Sequence, residues 1–523
     1  MTEDIQLRLD PRSAASELKV IGEVSSRLGI DANRIKAVKT IRRSIDARQR
    51  RVMINLTVRA FIDEAPASTL PAPVEFTELS PESPEALIVG AGPAGLFAAL
   101  RLIELGIKPI IFERGKDVDS RRIDVADISR KGIVDPDSNY CFGEGGAGTF
   151  SDGKLFTRSK KRGPVDVILN LLYQHGASAD ILVEAHPHIG TNRLPEIIKR
   201  IRLTIEHCGG EVHFGSRVEK IMISDHRVEG IALADGSKFF GPVILATGHS
   251  ARDVYKMLNS EGVALEAKGI AMGVRLEHPQ SLIDSLRYHS AQGRGQYLPP
   301  AEYTQLTRVD GRGVYSFCMC PGGVVVPASS APGELVVNGM SSSSRSGRWA
   351  NSGMVVEVLP EDVPEQYASE GPLSLMAWQQ DIERRFFNAG DGSQSAPAQK
   401  MTDFVDGRLS ETLNPSSYAP GLFSARVDKL LPRQITVRLQ EGFRDFNKKQ
   451  RGFLTEKATV IGDETRTSSP VRITRDPETL ESVNTRGFFP AGEGAGYAGG
   501  IVSAAIDGRR CAESLADYLG IFS

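Results

Sequence analysis

Cysteine is scarce in this chain of 523 residues, and long apolar runs are absent from it. Five cysteines are an odd and low number for a secreted protein of this length, which favours a reducing compartment. The N-terminal stretch MTEDIQLRLD has neither a basic nor an apolar leader region. No stretch is apolar enough to cross a bilayer, and the net charge of −2 points to no charged partner. We therefore expect a cytoplasmic protein without a membrane span, built from about two to four domains.

The first residues of the chain predict a small module of their own. Residues 1–62 contain a strand at Ile5–Leu9, a helix from Ala14 to Leu28 that ends at Gly29, and strands near Ile35–Ile41 and Val52–Phe61. This β-α-β-β order predicts an α+β unit. Residues 63–85 are rich in proline and predict an extended, semi-rigid linker.

A phosphate-binding turn is predicted directly after the linker. The segment ALIVGAGPAGLFAALRLIELGIKPIIFE predicts a buried strand, a glycine turn, a helix and a second strand. In its G-x-G-x-x-G spacing, Gly90 makes the tight turn, Gly92 lets the backbone approach a pyrophosphate, and Gly95 lets the helix pack on the sheet. Pro93 and Ala94 belong to the helix N-terminus, whose free N–H groups face the phosphates. Glu113 ends the second strand, where a carboxylate holds adenosine ribose hydroxyls, and Arg114 follows it in the predicted site.

Two further segments resemble flavoproteins of the glutathione-reductase type. One is a strand meander that ends at Ala246-Thr247-Gly248, in which the resemblance places Val218 against the adenine and Thr247 and Gly248 in the cofactor site. The other is the run GFFPAGEGAGYAGGIVSAAIDGRR near the C-terminus. There Gly492-Glu493 occupies the position of the acidic residue that meets the ribityl chain, although glutamate is longer than the usual aspartate.

The same C-terminal run predicts a helix that starts at Gly499, Gly500 and Ile501. Its positive end would stabilise the negative charge of a reduced flavin ring. A glycine-dense loop with Gly145, Gly146, Gly148 and Asp152 is the third predicted flavin contact, and a surface turn is the alternative.

A family resemblance covers nearly the whole chain. The segments GAGPAGLFAALRL, FGEGGAGTFSDGKL, FCMCPGG, VVNGMS, ETRTSSPVRITRD and PAGEGAGYAGGIVSAAIDG, with the SIDAR stretch of residues 44–48, resemble the bacterial FAD-dependent dehydrogenases of the NAD(P)/FAD-dependent oxidoreductase family. The resemblance implies an α/β fold with a Rossmann-like, glutathione-reductase-type FAD domain formed by residues 86–250 and 486–523. Residues 251–485 would be an inserted α+β domain that binds substrate. The implied activity is oxidation or reduction of a small molecule by hydride transfer at flavin N5, with FAD held non-covalently.

Catalytic residues are not identified by spacing, and Arg466 and His249 are only candidates. Arg466 could clamp a substrate carboxylate or the flavin pyrophosphate, or it could form a buried ion pair with Glu464. Cys318 and Cys320 could pass electrons as a dithiol, but a bridge between them would be strained, so packing and a backbone turn at Pro321-Gly322-Gly323 are the alternative. No metal site is predicted.

The electron partner is left open among NAD(P)H, oxygen, a quinone and another protein. No second G-x-G-x-x-G unit follows a strand, which argues against a separate Rossmann domain for NAD(P)H. The basic stretch from Arg34 to Arg51 raises the alternative of a flavin-dependent protein that modifies nucleic acid. No aromatic residue is interleaved in that stretch, which argues against single-stranded nucleic acid.

Overall fold

The computed structural model describes residues 1–157 and 163–521. The N-terminal module is a three-stranded antiparallel sheet in the order β1-β3-β2, covered by helix α2. Its elements are β1 (Thr2–Leu9), α1 (Pro11–Ala14), α2 (Glu17–Leu28), β2 (Ile35–Asp46) and β3 (Met53–Ile62).

Helix α2 begins at Glu17 rather than at Ala14, because a separate short helix precedes it. The Asp10 carboxylate accepts hydrogen bonds from the backbone N–H groups of Arg12 and Ser13 and so caps α1. Helix α2 ends at Gly29, which lies in the left-handed region at φ 65°.

Residues 63–84 contain no helix or strand and pack along the next domain. The backbone N–H of Val74 donates to the Gln174 side chain, and the Gln174 amide donates back to the Val74 carbonyl, both at 2.9 Å. The Leu79 N–H donates to the Cys208 carbonyl at 2.9 Å. These contacts fix the path of the proline-rich segment on the surface of that domain.

The next part of the chain alternates strands and helices and then forms a meander. Its elements are β4 (Glu85–Val89), α3 (Pro93–Glu104), β5 (Lys108–Phe112), α4 (Val118–Lys131), α5 (Val165–Gln174), α6 (Asp180–Val183), α7 (Leu194–His207), β6 (Glu211–His213), β7 (Val218–Ser224), β8 (Arg227–Leu233), β9 (Lys238–Phe240) and β10 (Val243–Leu245).

The following part is dominated by long antiparallel strands. Its elements are α8 (Arg252–Ser260), β11 (Leu265–Ala267), β12 (Ile270–Pro279), α9 (Gln280–Tyr288), β13 (Leu306–Val309), β14 (Arg312–Pro327), β15 (Val337–Met340), β16 (Trp349–Val358), α10 (Ser374–Asn388), β17 (Ala396–Lys400), α11 (Met401–Asp406), β18 (Leu422–Ser424), α12 (Val427–Leu430), α13 (Arg433–Lys449), β19 (Thr459–Glu464) and β20 (Val471–Ile473). The chain then returns to the first sheet with β21 (Phe488–Pro490) and α14 (Ile501–Tyr518).

Two large sheets organise the two main cores. Strands β21, β10, β4, β5 and β6 form a parallel sheet in that order. The second sheet has eight strands, in the order β13-β14-β16-β12-β19-β17-β18 with β15 paired to β14. Helix α13 packs on this sheet so closely that a Cβ at Gly442 would lie 2.6 Å from a Val314 methyl group.

The strand order of the parallel sheet determines where a ligand can enter. Helix α3 connects β4 to β5 on one side, whereas β10 and β21 lie on the other side of β4. The chain connections therefore diverge at the carboxyl end of β4 and leave a crevice there. In open parallel sheets this crevice is where ligands bind.

No helix among residues 1–157 and 163–521 combines the length and the apolar character that crossing a membrane requires.

Candidate functional site

The glycine turn after β4 lies at the crevice of the parallel sheet. Gly90 has φ 104°, and a Cβ there would lie 2.5 Å from the Ala246 carbonyl oxygen, so only glycine fits between β4 and the end of β10. A Cβ at Gly95 would lie 2.0 Å from the Gly90 carbonyl oxygen, because α3 packs directly on the turn.

Gly92 differs from these two glycines because the space beside it is open. It has an extended conformation at φ −77°, and a Cβ there would meet no protein atom nearer than 4.0 Å. Helix α3 begins at Pro93, and its first backbone hydrogen bond runs from the Leu96 N–H to the Gly92 carbonyl. The N–H groups of Ala94 and Gly95 therefore have no helical partner and point out of the helix N-terminus.

The three glycine segments that lie far apart in the sequence meet around this turn. The Gly145 N–H donates to the Ala91 carbonyl at 2.8 Å. A Cβ at Gly146 would lie 3.2 Å from Gly92 Cα, and a Cβ at Gly148 would lie 3.3 Å from the Ile501 side chain. The loop after α4 thus bridges the N-termini of α3 and α14. These are the two helix starts predicted to bind the diphosphate and the flavin ring of one ligand.

Helix α14 begins without a side-chain cap, and Gly499 and Gly500 before it are exposed. A Cβ at either glycine would meet nothing within 4 Å. The first backbone hydrogen bond of the helix is donated by Ala504 to the Gly500 carbonyl. The positive end of α14 is therefore open to a ligand.

The Glu113 carboxylate is buried and already accepts three backbone hydrogen bonds. Its Oε2 accepts from Ala91 N–H at 2.9 Å, and its Oε1 accepts from Gly115 N–H at 2.9 Å and from Gly143 N–H at 3.0 Å. A carboxylate offers about four acceptor positions. Glu113 therefore locks the glycine turn to the loop at residue 143 and keeps one acceptor position for a ligand hydroxyl.

Val218 and Arg114 line a cavity of about 430 Å³ beside the meander. The Arg114 guanidinium pairs with Asp137 at 2.8 Å and Asp253 at 3.0 Å and lies over the Phe142 ring. This cavity adjoins Glu113 along the chain and is where the resemblance placed the adenine.

At the end of β21, two predicted residues become neighbours. Glu493 Oε1 lies 3.6 Å from His249 Nδ1, and both side chains are partly buried. A Cβ at Gly494 would lie 2.5 Å from the Gly248 carbonyl oxygen, so the segment after β10 packs directly against the segment after β21. The predicted ribityl acid and the candidate histidine therefore face the same region.

Two of the predicted site residues have other partners. Asp152 was assigned to the flavin loop, but both of its carboxylate oxygens pair with the buried Arg345, at 3.2 and 2.5 Å. The Arg466 side chain is buried and pairs with Glu334 at 3.0 Å and with Glu383 at 2.8 Å. The predicted ion pair between Arg466 and Glu464 is therefore wrong.

Glu464 pairs with the buried Arg275 at 3.1 Å. Burial raises the pKa of Glu464 to about 7, although the positive charge of Arg275 acts to lower it. The backbone turn predicted at residues 321–323 is an irregularity within a strand, where Gly322 has φ 53°. Strand β14 continues through this segment with two irregularities, because residue pairing with β16 shifts on either side of Cys320.

Cys318 is exposed and has φ 46°, whereas Cys320 is buried beside it. Hydrogen bonding with Cys320 and the positive charges of Lys154 and Arg275 lower the pKa of the Cys318 thiol to about 6. The Lys154 ammonium donates to the Met319 carbonyl and so lies against this segment.

Two supports of the site were not identified from the sequence. Arg121 is fully buried in α4, and its guanidinium donates to the carbonyl groups of Asn139, Tyr140 and Glu144 at 2.8, 3.0 and 2.8 Å. It thus holds the start of the glycine loop. Nothing in the polar sequence of α4 distinguishes this arginine from Arg122, its exposed neighbour.

The second support is a buried ion pair between Arg475 and Asp507, at 2.6 Å. Asp507 also accepts from the Gly492 N–H at 2.7 Å, and Arg475 donates to the Pro490 carbonyl at 2.6 Å. The pair therefore fixes the turn between β21 and α14.

The basic stretch of the N-terminal module contacts acidic residues of its own chain. Arg34 pairs with Asp63 at 2.7 Å, and Arg48 pairs with Asp46 at 2.9 Å. Arg43 pairs across the module boundary with Glu184 at 2.8 Å.

Taken together, the open helix starts and the glycine loop fit an elongated ligand with a diphosphate. Residues 269–467 match the family described as "FAD-dependent protein, C-terminal domain-like". Residues 1–61 match the domain of unknown function DUF8436.

A protein of Clostridium beijerinckii, described only as an uncharacterized protein, is 41% identical over 530 residues, which covers 98% of this chain and 97% of that protein. The chain belongs to the family of this relative. Its cofactor is FAD, as the description of the family matched by residues 269–467 indicates.

The chain is only weakly similar to solved protein structures. The tetracycline destructase Tet(51) is 10% identical, with a TM-score of 0.34 over 84% of this chain and 83% of that one. The E. coli quinol fumarate reductase subunit FrdA is 13% identical, with a TM-score of 0.36 over 84% and 70%. The flavin-dependent brominase Bmp2 is 13% identical, with a TM-score of 0.36 over 83% and 79%. At these scores, none of them defines the reaction of this chain.

Proposed function

We propose that this protein is an FAD-dependent oxidoreductase with a Rossmann-like, glutathione-reductase-type cofactor site. The observation that carries the proposal is the meeting of the Gly92 turn, the Gly146–Gly148 loop and the start of α14 at the carboxyl end of β4. When bound, FAD supplies the electron-accepting ring whose N5 takes a hydride from a small molecule. The residues of the chain bind and orient the cofactor.

In this proposal each segment has one task. The free N–H groups of Ala94 and Gly95 bind the diphosphate, because a helix N-terminus favours negative charge. The remaining acceptor position of Glu113 binds a ribose hydroxyl. The open N-terminus of α14 lies at the ring and stabilises the negative charge that develops on reduction. Val218 and Arg114 border the adenine.

His249 and Glu493 are the groups proposed to hold a proton beside the ring. Their 3.6 Å separation is that of an ion pair when the imidazole is protonated. A His249→Asn variant should keep its FAD and slow flavin reduction, whereas Glu493→Gln should also weaken FAD binding. Equal reduction rates for His249→Asn and the unchanged protein would remove the histidine from the proposal.

The decisive experiment is a visible spectrum of the purified protein, followed by anaerobic addition of NADH or NADPH. Flavin absorption bands establish the bound cofactor, and their bleaching identifies the electron donor. Colourless protein that takes up no added FAD would contradict the proposal. Bound flavin that neither nucleotide reduces would leave oxygen, a quinone or a protein as the electron partner.

A further inference from the structure

A second site lies where the three parts of the chain meet. It is a cavity of about 790 Å³ lined by residues 43–48 of the N-terminal module, by residues 178–193 of the parallel-sheet domain, and by parts of segments 287–304 and 343–345 of the inserted domain. None of the glycines that form the proposed FAD site lines it. Its volume and its position between domains are those of small-molecule binding sites.

The cavity is built by specific contacts rather than by loose apposition of the domains. The Ala185 N–H donates to the Arg43 carbonyl at 2.9 Å and continues the edge of β2. The His289 ring lies 3.1 Å from the Ala47 carbonyl on the opposite side. The Leu155 N–H donates to the Pro187 carbonyl at 2.9 Å, which ties the wall to the segment after the glycine loop. All three parts of the chain must therefore be in place for the cavity to exist.

The lining of the cavity carries more arginines than carboxylates. Three of its arginines have carboxylate partners within the wall: Arg43 with Glu184, Arg48 with Asp46, and Arg345 with Glu302. Burial acts to raise the pKa of Glu302, but hydrogen bonding from His186 and the charges of Arg345 and Lys154 outweigh it and lower that pKa to about 2. Arg345 thus keeps its charged partner at neutral pH.

Arg193 and Arg287 have no such partner among the described residues. Arg287 donates only its Nε–H, to the Glu302 carbonyl at 3.0 Å, which leaves the outer edge of its guanidinium free. Arg193 is exposed and its side chain makes no hydrogen bond or ion pair within the described parts of the chain. The remaining carboxylate of the lining, Asp180, accepts a hydrogen bond from Ser178 at 2.8 Å. Among the charged side chains of the lining, two guanidinium groups and one carboxylate therefore lack an oppositely charged partner within the described residues.

Much of the remaining wall is apolar, although serine and histidine side chains also line it. Tyr288 and Tyr303 are buried in it, and Ile181 and Ile189 line it together with three prolines. Guanidinium groups bind carboxylates and phosphates through paired donors, and the apolar wall suits a hydrocarbon or ring.

We propose that this cavity binds a small organic anion, in which a carboxylate or phosphate group meets Arg193 and Arg287 and an apolar body packs on the tyrosines. The proposal concerns binding alone and holds whatever reaction the flavin performs.

Three small probes test it by ligand-observed NMR titration of the full-length protein. Benzoate and phenyl phosphate carry the anionic group, whereas benzamide has the shape of benzoate without its charge. We expect either anion to bind at least fivefold more tightly than benzamide, and binding to weaken as salt is raised. Tighter binding of phenyl phosphate would assign a phosphate ligand, and tighter binding of benzoate a carboxylate ligand.

The variant Arg193→Met with Arg287→Met should weaken anion binding about tenfold and leave benzamide unchanged. Arg451→Met, an exposed arginine outside the cavity, is the matched control and should change nothing. Ala47→Phe fills the cavity without altering its charge and should weaken the binding of all three probes. The proposal is overturned if neither anion binds, if benzamide binds as well as the anions, or if the double variant binds them unchanged. Flavin absorbance is recorded on the same samples, so failure of this site is distinguished from failure of the FAD site.

Discussion

Gly92→Val separates a ligand effect from a folding effect. Residue 92 has φ −77°, which any amino acid adopts, and a Cβ there would meet no protein atom nearer than 4.0 Å. The backbone conformation and the Cβ of a valine are therefore compatible with the folded protein. A bound diphosphate does not, because it must approach the backbone at this point to reach the N–H groups of Ala94 and Gly95.

The expected loss follows from those two donors. A hydrogen bond to a charged group contributes about 1.5–3 kcal/mol. Displacing the diphosphate from both N–H groups costs about 3 kcal/mol or more, and because each 1.4 kcal/mol is tenfold in affinity, FAD should bind at least about 100-fold more weakly. The assay is the ratio of flavin to protein absorbance after purification, together with titration of added FAD.

The control is Gly22→Val in helix α2, where a Cβ also meets nothing within 4 Å but no ligand is proposed. It should keep its full flavin content. The unfolding midpoint of FAD-free Gly92→Val should equal that of the FAD-free unchanged protein. Gly92→Val protein that binds FAD normally would refute the location of the phosphate turn.

Other predictions concern the supports of the site and the buried groups. Asp507→Asn should lower the free energy of unfolding by about 3–5 kcal/mol in urea, because it leaves a buried guanidinium unpaired, whereas Glu513→Gln, at a side chain 44% exposed, should change it by less than about 1 kcal/mol. Burial lowers the pKa of His278 from 6.5 to about 4, so the unfolded chain binds a proton that the folded chain does not. The contribution of neutral His278 to the free energy of unfolding is then fully present above pH 6.5 and falls by about 3 kcal/mol as the pH drops to 4. A His278→Gln variant whose free energy of unfolding depends on pH in the same way would refute this cause. Iodoacetamide should modify Cys318 well before the buried Cys208, and replacing Cys318 and Cys320 with serine should leave flavin reduction largely intact, so abolished reduction would restore the dithiol hypothesis.

The glycine segments illustrate what local sequence can predict. Gly90 and Gly95 are identifiable because each is fixed by contacts within one strand-turn-helix unit, and the spacing of the motif encodes those contacts directly. The glycine turn alone does not select FAD, which was predicted from the C-terminal run and from the family resemblance of nearly the whole chain. The family matched by residues 269–467 confirms the FAD cofactor.

Arg466 and Asp152 illustrate what local sequence cannot predict. Each lies in a polar segment where catalysis and structure need the same residue types. Arg466 is distinguished by Glu383, which lies 83 residues away, and Asp152 by Arg345, which lies 193 residues away. Their roles depend on which partners the inserted domain brings to them.

The sequence by itself determined the glycine turn after β4 and the order of elements in the N-terminal module, because each depends on residues close together in the chain. The FAD cofactor was predicted from a resemblance that covers nearly the whole chain. Only the tertiary structure decided that the loop at residues 145–148 bridges two distant helix starts, that Arg121 and the Arg475–Asp507 pair hold them, and that three parts of the chain enclose a further cavity. These features depend on long-range packing, in which a buried charge is tolerated only where a distant segment supplies its partner.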